Sequence, residues 1–244
     1  MSKFYVVATP IGNMGDITLR AIETLKSVDL ILCEDTRETK KILDKYAINT
    51  ATMSYHAQSK LAKVDKIFAL LSEGKNLALV SDAGTPTISD PGAMLVSKIK
   101  QHFNAEIPAS SARGVLAELA EVLAETVQVI PIPGASAVIA ALSASGMPSH
   151  EFTFLGFLPH KKGRETLFKE IATAKRTFVF YESPHRILKT LESLAKFCPD
   201  KKVCVARELT KIYEEFKTGS GVEILNYFID NPEKQRGEFT VIVA

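Results

Sequence analysis

The amino-acid sequence predicts an α/β fold, and two patterns along the chain predict it. Short apolar runs rich in β-branched residues alternate with longer amphipathic stretches of helical period. Loops rich in Gly, Pro, Asp, Ser and Thr follow several of the apolar runs. This alternation is typical of a largely parallel sheet, in which the loops at the carboxyl ends of the strands carry ligand sites.

The first half of the chain accounts for most of this pattern. Its apolar runs predict strands at 4–9, 29–34, 76–81 and 127–134. Stretches with one apolar face predict helices at 18–28, 38–46, 63–74, about 92–100, and 104–125. Asp90 followed by Pro91 has the composition of a helix start.

A Pro- and Gly-rich segment predicts the joint between two domains. Pro131, Pro133 and Gly134 interrupt regular structure on both sides, so we expect domains at 1–132 and 133–244. A second α/β series follows, with helices at 136–146 and 183–197 and strands at 152–157, 177–182, 202–210, 212–219 and 237–244. Ser183 and Pro184 are expected at the N-cap and first position of the second of these helices.

Composition limits the class of protein. Hydrophobic residues make up 46% and charged residues 24%, as in a soluble globular protein. No apolar run approaches the ~20 residues of a membrane-spanning helix, and no signal-peptide pattern is present, so a cytoplasmic location is expected. The three scattered cysteines fit neither a disulfide framework nor a zinc site and are expected to be reduced.

Four segments at strand ends are candidates for chemistry: 9–18, 34–39, 81–92 and 131–137. They match neither the Gly-rich fingerprint of dinucleotide enzymes nor that of P-loop NTPases. In 81–92, Gly84 permits close backbone approach and two prolines stiffen the loop, which suits a small polar ligand. The alternative is a turn followed by a capped helix.

Two strand ends combine carboxylates with basic residues. Glu34 and Asp35 precede Arg37, and Glu182 precedes His185 and Arg186. The carboxylates could orient a hydroxyl or accept its proton, and the arginines could hold phosphate. The alternatives are a local Glu34–Arg37 ion pair and surface residues at a helix start. Basic runs elsewhere in the second half could likewise meet phosphate or form a solvated surface.

Taken in order, seven segments resemble the 16S ribosomal RNA methyltransferase I group of the tetrapyrrole methylase superfamily. They are TPIGNMGDITLRA, DLILCEDTR, LVSDAGTPTISDPG, PIPGASA, GFLP, FYESPHR and ARELTK, and the resemblance covers nearly all of residues 5–243. It implies two α/β domains of the tetrapyrrole methylase type, with the cofactor in the cleft between them, usually in a homodimer. It also implies S-adenosylmethionine-dependent methylation of the 2′-hydroxyl of a cytidine ribose in 16S rRNA of the 30S ribosomal subunit, without a metal.

The resemblance also implies roles for individual residues. Catalytic candidates are Glu34, Asp35, Arg37 and Glu182, and the sequence does not rank the carboxylates. Cofactor contacts are expected at Pro10, Ile11, Asp82, Ala83, Gly84, Thr85, Pro86, Ile88, Ser136, Ala137, Tyr181, Ala206, Leu209, Gly237 and Glu238. Substrate contacts are expected at Lys161, Lys162, Arg164, His185 and Arg186.

Two other functions fit the same segments. One is a methylase of the same superfamily that acts on a small substrate, a tetrapyrrole or diphthine. The other is a non-catalytic module that retains the cofactor cleft and binds RNA or another partner. The segment 104–125 is about twenty residues longer than the link expected at that place in the group.

Overall fold

The computed structural model describes residues 1–56, 61–90, 92–103 and 126–244. The chain divides into two units: Met1–Pro10 with Met14–Ala135, and Ile11–Asn13 with Ser136–Ala244. The domain boundary predicted from the sequence was 132/133. The helix predicted at 104–125 and the predicted role of Pro91 lie outside the described residues.

The first unit contains a five-stranded parallel sheet with strand order β3-β2-β4-β1-β5. Its strands are β1 Ser2–Val7, β2 Leu30–Cys33, β3 Thr52–Ser54, β4 Leu77–Leu79 and β5 Val127–Ile132. Its helices are α1 Leu19–Ser27, α2 Thr36–Lys45, α3 Leu61–Ser72 and α4 Gly92–Phe103. The four strands predicted in this half are confirmed, and the short edge strand β3 was not predicted.

The apolar runs of this sheet are continuous because both of its faces are covered. Neighbouring residues of a strand point to opposite faces, so Ile31 joins one buried cluster and Leu32 joins the other. Because all five strands run parallel, their carboxyl ends lie at one edge of the sheet. The four candidate loops of the first half therefore start from the same edge.

The second unit contains a mixed sheet with strand order β6-β7-β10-β8-β9. Its strands are β6 Phe152–Phe157, β7 Thr177–Glu182, β8 Lys202–Arg207, β9 Glu215–Ser220 and β10 Phe239–Val243. Its helices are α5 Ala137–Ser145, α6 Arg164–Thr173, α7 Ile187–Phe197 and α8 Gly221–Asp230. Only β6 and β7 pair in parallel, whereas the other pairs are antiparallel. The α/β class predicted from the sequence is confirmed.

Several boundaries predicted in the second half are wrong. Helix α7 begins at Ile187 rather than at Pro184, because its N-cap Arg186, at φ −124° and ψ −11°, does not have helical backbone angles; the preceding residues form a turn closed on the carbonyl of Ser183. The strand predicted at 202–210 ends at Arg207, since Glu208 at φ 50° turns the chain away from the sheet.

Two helices of this unit were not predicted, α6 and α8. Helix α8 carries a sequence signal that would have identified it: the Ser220 hydroxyl accepts from the Glu223 N–H, and the Glu223 carboxylate accepts from the Ser220 N–H. This reciprocal pair is the capping box S-x-x-E.

Candidate active site

The loops after β1 and β4 are held together at the carboxyl edge of the first sheet. The N–H of Thr9 donates to the carbonyl of Gly84 at 2.9 Å, and the N–H of Gly84 donates to the carbonyl of Thr9 at 3.1 Å. The buried hydroxyl of Thr9 donates to the carbonyl of Ser81 at 3.1 Å. Gly84 has φ 81°, a conformation that favours glycine. Thr9, which the sequence analysis did not single out, thus fixes the start of the 81–92 loop.

The Pro-Gly segment after β5 joins the same loops. The Thr85 hydroxyl donates to the carbonyl of Ala135 at 3.0 Å. A Cβ atom on Gly134 would lie 2.9 Å from the Cβ of Ala8, so the close approach of these two segments requires glycine. Three of the four candidate loops of the first unit therefore meet.

The loop after β2 completes this edge with carboxylates. The N–H of Asp35 donates to Oδ1 of Asp82 at 3.0 Å. Burial raises the pKa of the Glu34 carboxyl, and the nearby carboxylates of Asp82 and Asp90 raise it further.

Asp35 serves the structure of helix α2. It is the N-cap residue, and its carboxylate accepts from the N–H of Arg37 at 2.8 Å and from Nη2 of Arg37 at 2.6 Å. These hydrogen bonds lower the pKa of Asp35 to about 2. The ion pair of this loop thus joins Asp35 to Arg37, and the Glu34–Arg37 pair considered from the sequence is wrong.

The 81–92 loop contains exposed residues as well as residues that are buried or fixed by hydrogen bonds. Asp82, Ala83 and Ile88 are exposed, whereas Gly84 and Pro86 are buried. Asp90 closes the loop: its Oδ2 accepts from the N–H of Thr87 at 2.6 Å and its Oδ1 from the N–H of Gly92 at 2.7 Å. The predicted helix start at Asp90 is confirmed. The part of the loop at Asp90 matches the turn and capped helix considered from the sequence, and the ligand cradle at 82–86 stays a prediction.

In the second unit, strand register brings several predicted cofactor residues to one edge of the sheet. Tyr181 of β7 and Ala206 of β8 both pair with Thr240 of β10. The Tyr181 phenol is hydrogen-bonded to the backbone of Val138, and burial raises its pKa. Helix α5, with Ser136 as N-cap and Ala137 as its first residue, thereby reaches this edge.

The loop after β8, which contains Leu209, lies against the turn before β10, which contains Gly237 and Glu238. Lys211 Nζ donates to Glu208 at 2.9 Å and to Glu238 at 3.0 Å. Gly237 has φ 100°, and a Cβ there would lie 2.6 Å from Cγ of Glu208. This arrangement places Glu238 and Gly237 beside the loop that contains the buried Leu209.

The segment Ile11–Asn13 lies against the same loop. The N–H of Asn13 donates to the Thr210 hydroxyl at 3.0 Å. A Cβ on Gly12 would lie 2.6 Å from Cγ of Lys211, so only glycine fits there. Ile11 is buried in this segment, and Pro10, which precedes it, is buried too.

Glu182 lies in the interior of the second unit rather than at its surface. Its side chain is 0% exposed, and its carboxylate contacts Nε of Arg186 at 2.7 Å and Nη2 of Arg164 at 3.9 Å. The Thr190 hydroxyl donates to it at 2.6 Å and the Ser183 N–H at 2.9 Å. Of the predicted substrate contacts, His185, Lys161 and Lys162 are exposed, whereas Arg164 and Arg186 are partly buried.

Other kinds of site are not found in the part of the chain that the structure describes. No group of three His, Cys, Asp or Glu side chains there could hold a metal ion. No helix among the described residues has the length and apolarity needed to cross a bilayer. Cys33, Cys198 and Cys204 are free and buried, and burial raises the pKa of each thiol.

The fold and the sequence both match methylases. A family model for tetrapyrrole (corrin/porphyrin) methylases matches residues 3–112 and 108–224. The uroporphyrin-III C-methyl transferase of Thermus thermophilus, solved in complex with S-adenyl homocysteine, shares the fold with a TM-score of 0.59. That match covers 99% of this chain and 97% of that chain at 16% identity. The chain therefore belongs to the tetrapyrrole methylase family, and it is a methyltransferase.

Relatives that match this chain over its whole length indicate a particular group within the family. A ribosomal RNA small subunit methyltransferase I from Synechocystis sp. is 43% identical over 246 residues, which cover 100% of this chain and 79% of that protein. The ribosomal RNA small subunit methyltransferase I of Thermotoga maritima is 40% identical over 244 residues, which cover 100% of this chain and 99% of that protein. The resemblance inferred from the seven segments is confirmed.

Proposed function

We propose that this protein transfers a methyl group from S-adenosylmethionine to the 2′-hydroxyl of a cytidine ribose in 16S rRNA of the 30S subunit. The observation that carries the substrate class is the likeness, over the whole chain, to relatives named ribosomal RNA small subunit methyltransferase I. The cytidine 2′-hydroxyl and the 30S subunit are the finer part of the proposal. We also propose that the enzyme acts in the cytoplasm as a homodimer, which light scattering after size-exclusion chromatography would measure.

The residues of the 81–92 loop fit S-adenosylmethionine. When bound, this cofactor supplies an electrophilic methyl group on a sulfonium. Asp82 and Ala83 are exposed and can meet the polar groups of the cofactor, and the exposed Ile88 offers apolar contact. The bridge between Thr9 and Gly84 holds that backbone in place before a ligand arrives, which reduces the entropy lost on binding.

The surroundings of the three candidate carboxylates differ, and these differences support our choice of the base. Asp35 is held by Arg37 with a pKa of about 2 and is a weak base. Glu182 is buried, and its carboxylate already contacts Arg186 and Thr190. Glu34 has a raised pKa and lies beside Asp82, so it is the best suited of the three to accept the proton of a ribose hydroxyl.

Methyl transfer from a sulfonium depends more on the position of the ribose hydroxyl than on its activation. The hydroxyl oxygen must lie in line with the methyl carbon, and fixing that geometry supplies much of the rate. We assign the removal of the hydroxyl proton to Glu34. Lys161 and Lys162, exposed in the loop before α6, are suited to RNA phosphates, because such contacts set position without reading sequence.

The experiment combines a reconstituted reaction with a map of rRNA modification. Purified protein is incubated with labelled S-adenosylmethionine and 30S subunits from cells that lack the gene, and 2′-O-methylated nucleotides are mapped. We expect one cytidine to become methylated and the same cytidine to be unmethylated in the deletion strain. Glu34→Gln should lose methyl transfer while retaining cofactor binding. The control Glu38→Gln removes an exposed carboxylate that is paired with Lys41 on α2, and it should retain both transfer and cofactor binding.

Each contrary outcome identifies another function. An unchanged methylation map in the deletion strain would overturn the rRNA proposal. Binding of S-adenosylmethionine with no transfer to RNA would favour a binding module. Transfer to a tetrapyrrole or to diphthine would favour a small-substrate methylase.

A further inference from the structure

We propose that Glu182 is a positioning residue that uses Arg164 and Arg186 to clamp the basic loop 158–163. The clamp holds the exposed lysines of this loop in one orientation for RNA. The inference about RNA rests on the proposed function, whereas the clamp itself can be tested without a substrate.

The carboxylate of Glu182 organises the cluster. Oε1 forms an ion pair with Nε of Arg186 at 2.7 Å and accepts a hydrogen bond from the N–H of Ser183 at 2.9 Å. Oε2 accepts a hydrogen bond from the Thr190 hydroxyl at 2.6 Å. That hydroxyl in turn accepts a hydrogen bond from Nη2 of Arg164 at 2.6 Å. Both oxygens of the carboxylate thus contact donors of its own unit.

The two arginines use their other nitrogens on the loop. Nη1 of Arg186 donates to the carbonyl of Leu158 at 2.9 Å, and Nη1 of Arg164 donates to the carbonyl of Pro159 at 3.1 Å. Leu158 is itself buried in the core of the second unit. Two consecutive carbonyls at the start of the loop are therefore fixed by guanidinium groups that one carboxylate holds.

This geometry separates the basic residues of the region into two kinds. The side chains of Arg164 and Arg186 are each only 16% exposed, compared with 86% for Arg37. Their guanidinium groups already make the forked contacts that would otherwise bind a phosphate. Lys161 and Lys162 are exposed and remain suited to phosphates.

Loss of the Glu182 charge should release the loop. Two partly buried guanidinium groups would then lie close together without a neutralising carboxylate, and removing one partner of a buried ion pair leaves an uncompensated charge. Glu182→Gln keeps the shape of the side chain and removes only the charge. Arg186→Lys keeps the positive charge and removes the fork that spans Glu182 and Leu158.

Limited trypsin digestion tests the clamp without RNA. Cleavage after Lys161 and Lys162, followed by mass spectrometry, should be severalfold faster in Glu182→Gln and Arg186→Lys than in the wild-type protein. Lys169→Gln is the matched control, because it breaks an exposed i,i+4 ion pair with Glu165 in the same unit. It should leave cleavage after Lys161 and Lys162 unchanged. Equal cleavage of this loop in all four proteins would overturn the clamp, and Arg186→Lys decides the matter should Glu182→Gln fail to fold.

Salt dependence distinguishes a clamp from a phosphate contact. Each lost phosphate contact lowers the slope of log K against log salt concentration by about 0.7 to 0.9. Lys161→Gln combined with Lys162→Gln should therefore flatten the slope for binding to 30S subunits. Arg186→Gln should weaken binding and leave the slope unchanged. A slope lowered by Arg186→Gln as well would show that Arg186 binds phosphate directly and would overturn its assignment to the clamp.

Kinetics separate positioning from catalysis. In Glu182→Gln the KM for 30S subunits should rise severalfold while kcat changes by less than about twofold, because Glu182 does not reach the reacting atoms. A fall in kcat with unchanged KM would identify Glu182 as the base and overturn the proposal. If the wild-type protein methylates no RNA, the proposed function fails, and the trypsin result still decides whether the clamp exists.

Discussion

Thr9→Val is the substitution that tests most directly how the 81–92 loop is held. Valine has nearly the same shape as threonine, so the change removes the hydroxyl and leaves the packing of a residue that is 1% exposed. That hydroxyl donates to the carbonyls of Ser81 at 3.1 Å and Gly84 at 3.3 Å. The substitution should therefore loosen the 81–92 loop without unfolding the sheet.

The size of the effect follows from which acceptor loses its donor. The Gly84 carbonyl keeps the N–H of Thr9 at 2.9 Å and the hydroxyl of Ser81 at 3.2 Å. The loss therefore falls on the Ser81 carbonyl, and a buried acceptor left without its donor costs about 1–2 kcal/mol. The free energy of opening this loop should decrease by that amount, which is a factor of about 5–30 in the open population.

Amide hydrogen exchange at Gly84 measures this opening, because its N–H donates to the Thr9 carbonyl only while the loop is closed. Exchange should be about 5–30 times faster in Thr9→Val. S-adenosylmethionine at about 100 times its Kd should add ~2.7 kcal/mol to the closed state and restore protection. Thr173→Val, at an exposed position, is the control. Unchanged exchange at Gly84, or protection that the cofactor fails to restore, would refute the reasoning.

Three further substitutions have defined outcomes. Glu34→Gln should raise the free energy of unfolding relative to the wild-type protein as the pH rises from the unfolded-state pKa of glutamate through the raised folded-state pKa, because the stability that a raised pKa gives is present below the unfolded-state value and lost over this range; urea titrations across pH check this. Asp35→Asn should lower the urea midpoint, and the difference should vanish as the pH falls from the usual ~3.9 of aspartate towards about 2. Gly237→Ala should lower the free energy of unfolding by about 1–3 kcal/mol and weaken cofactor binding in calorimetry, since its Cβ would meet Glu208. The control Gly146→Ala, at φ 67° with nothing within 4 Å, should lower the free energy of unfolding by less and leave cofactor binding unchanged.

Much of the first unit could be predicted from local sequence because its sheet is parallel and covered on both faces. Continuous apolar runs then mark the strands, and the polar residue that follows each run marks the shared edge. Thr9 shows the limit of this reasoning. Its hydroxyl is important only because Ser81, far along the chain, lies opposite it, and no local pattern reports that pairing.

The burial of Glu182 could have been predicted from the alternation of residues along its strand. Residues of a strand alternate between faces, so Glu182 shares a face with Phe178 and Phe180, and both are core residues. The partners of Glu182 could not be read in the same way. The sequence does not show that Arg164 and Arg186 point back at one carboxylate, because that depends on how α6 and α7 lie on the sheet.

The place of β10 in the second sheet has a consequence for the synthesis of the protein. β10 lies between β7 and β8 and pairs with both, although among the strands of the described residues it is the last to leave the ribosome. Until Phe239–Val243 emerge, β7 and β8 are two strands with exposed edges and no partner between them. The strands of the first sheet, in contrast, are all translated by residue 132. The nascent chain thus passes through a stage in which one sheet can be complete and the other presents open edges to chaperones or to neighbouring chains.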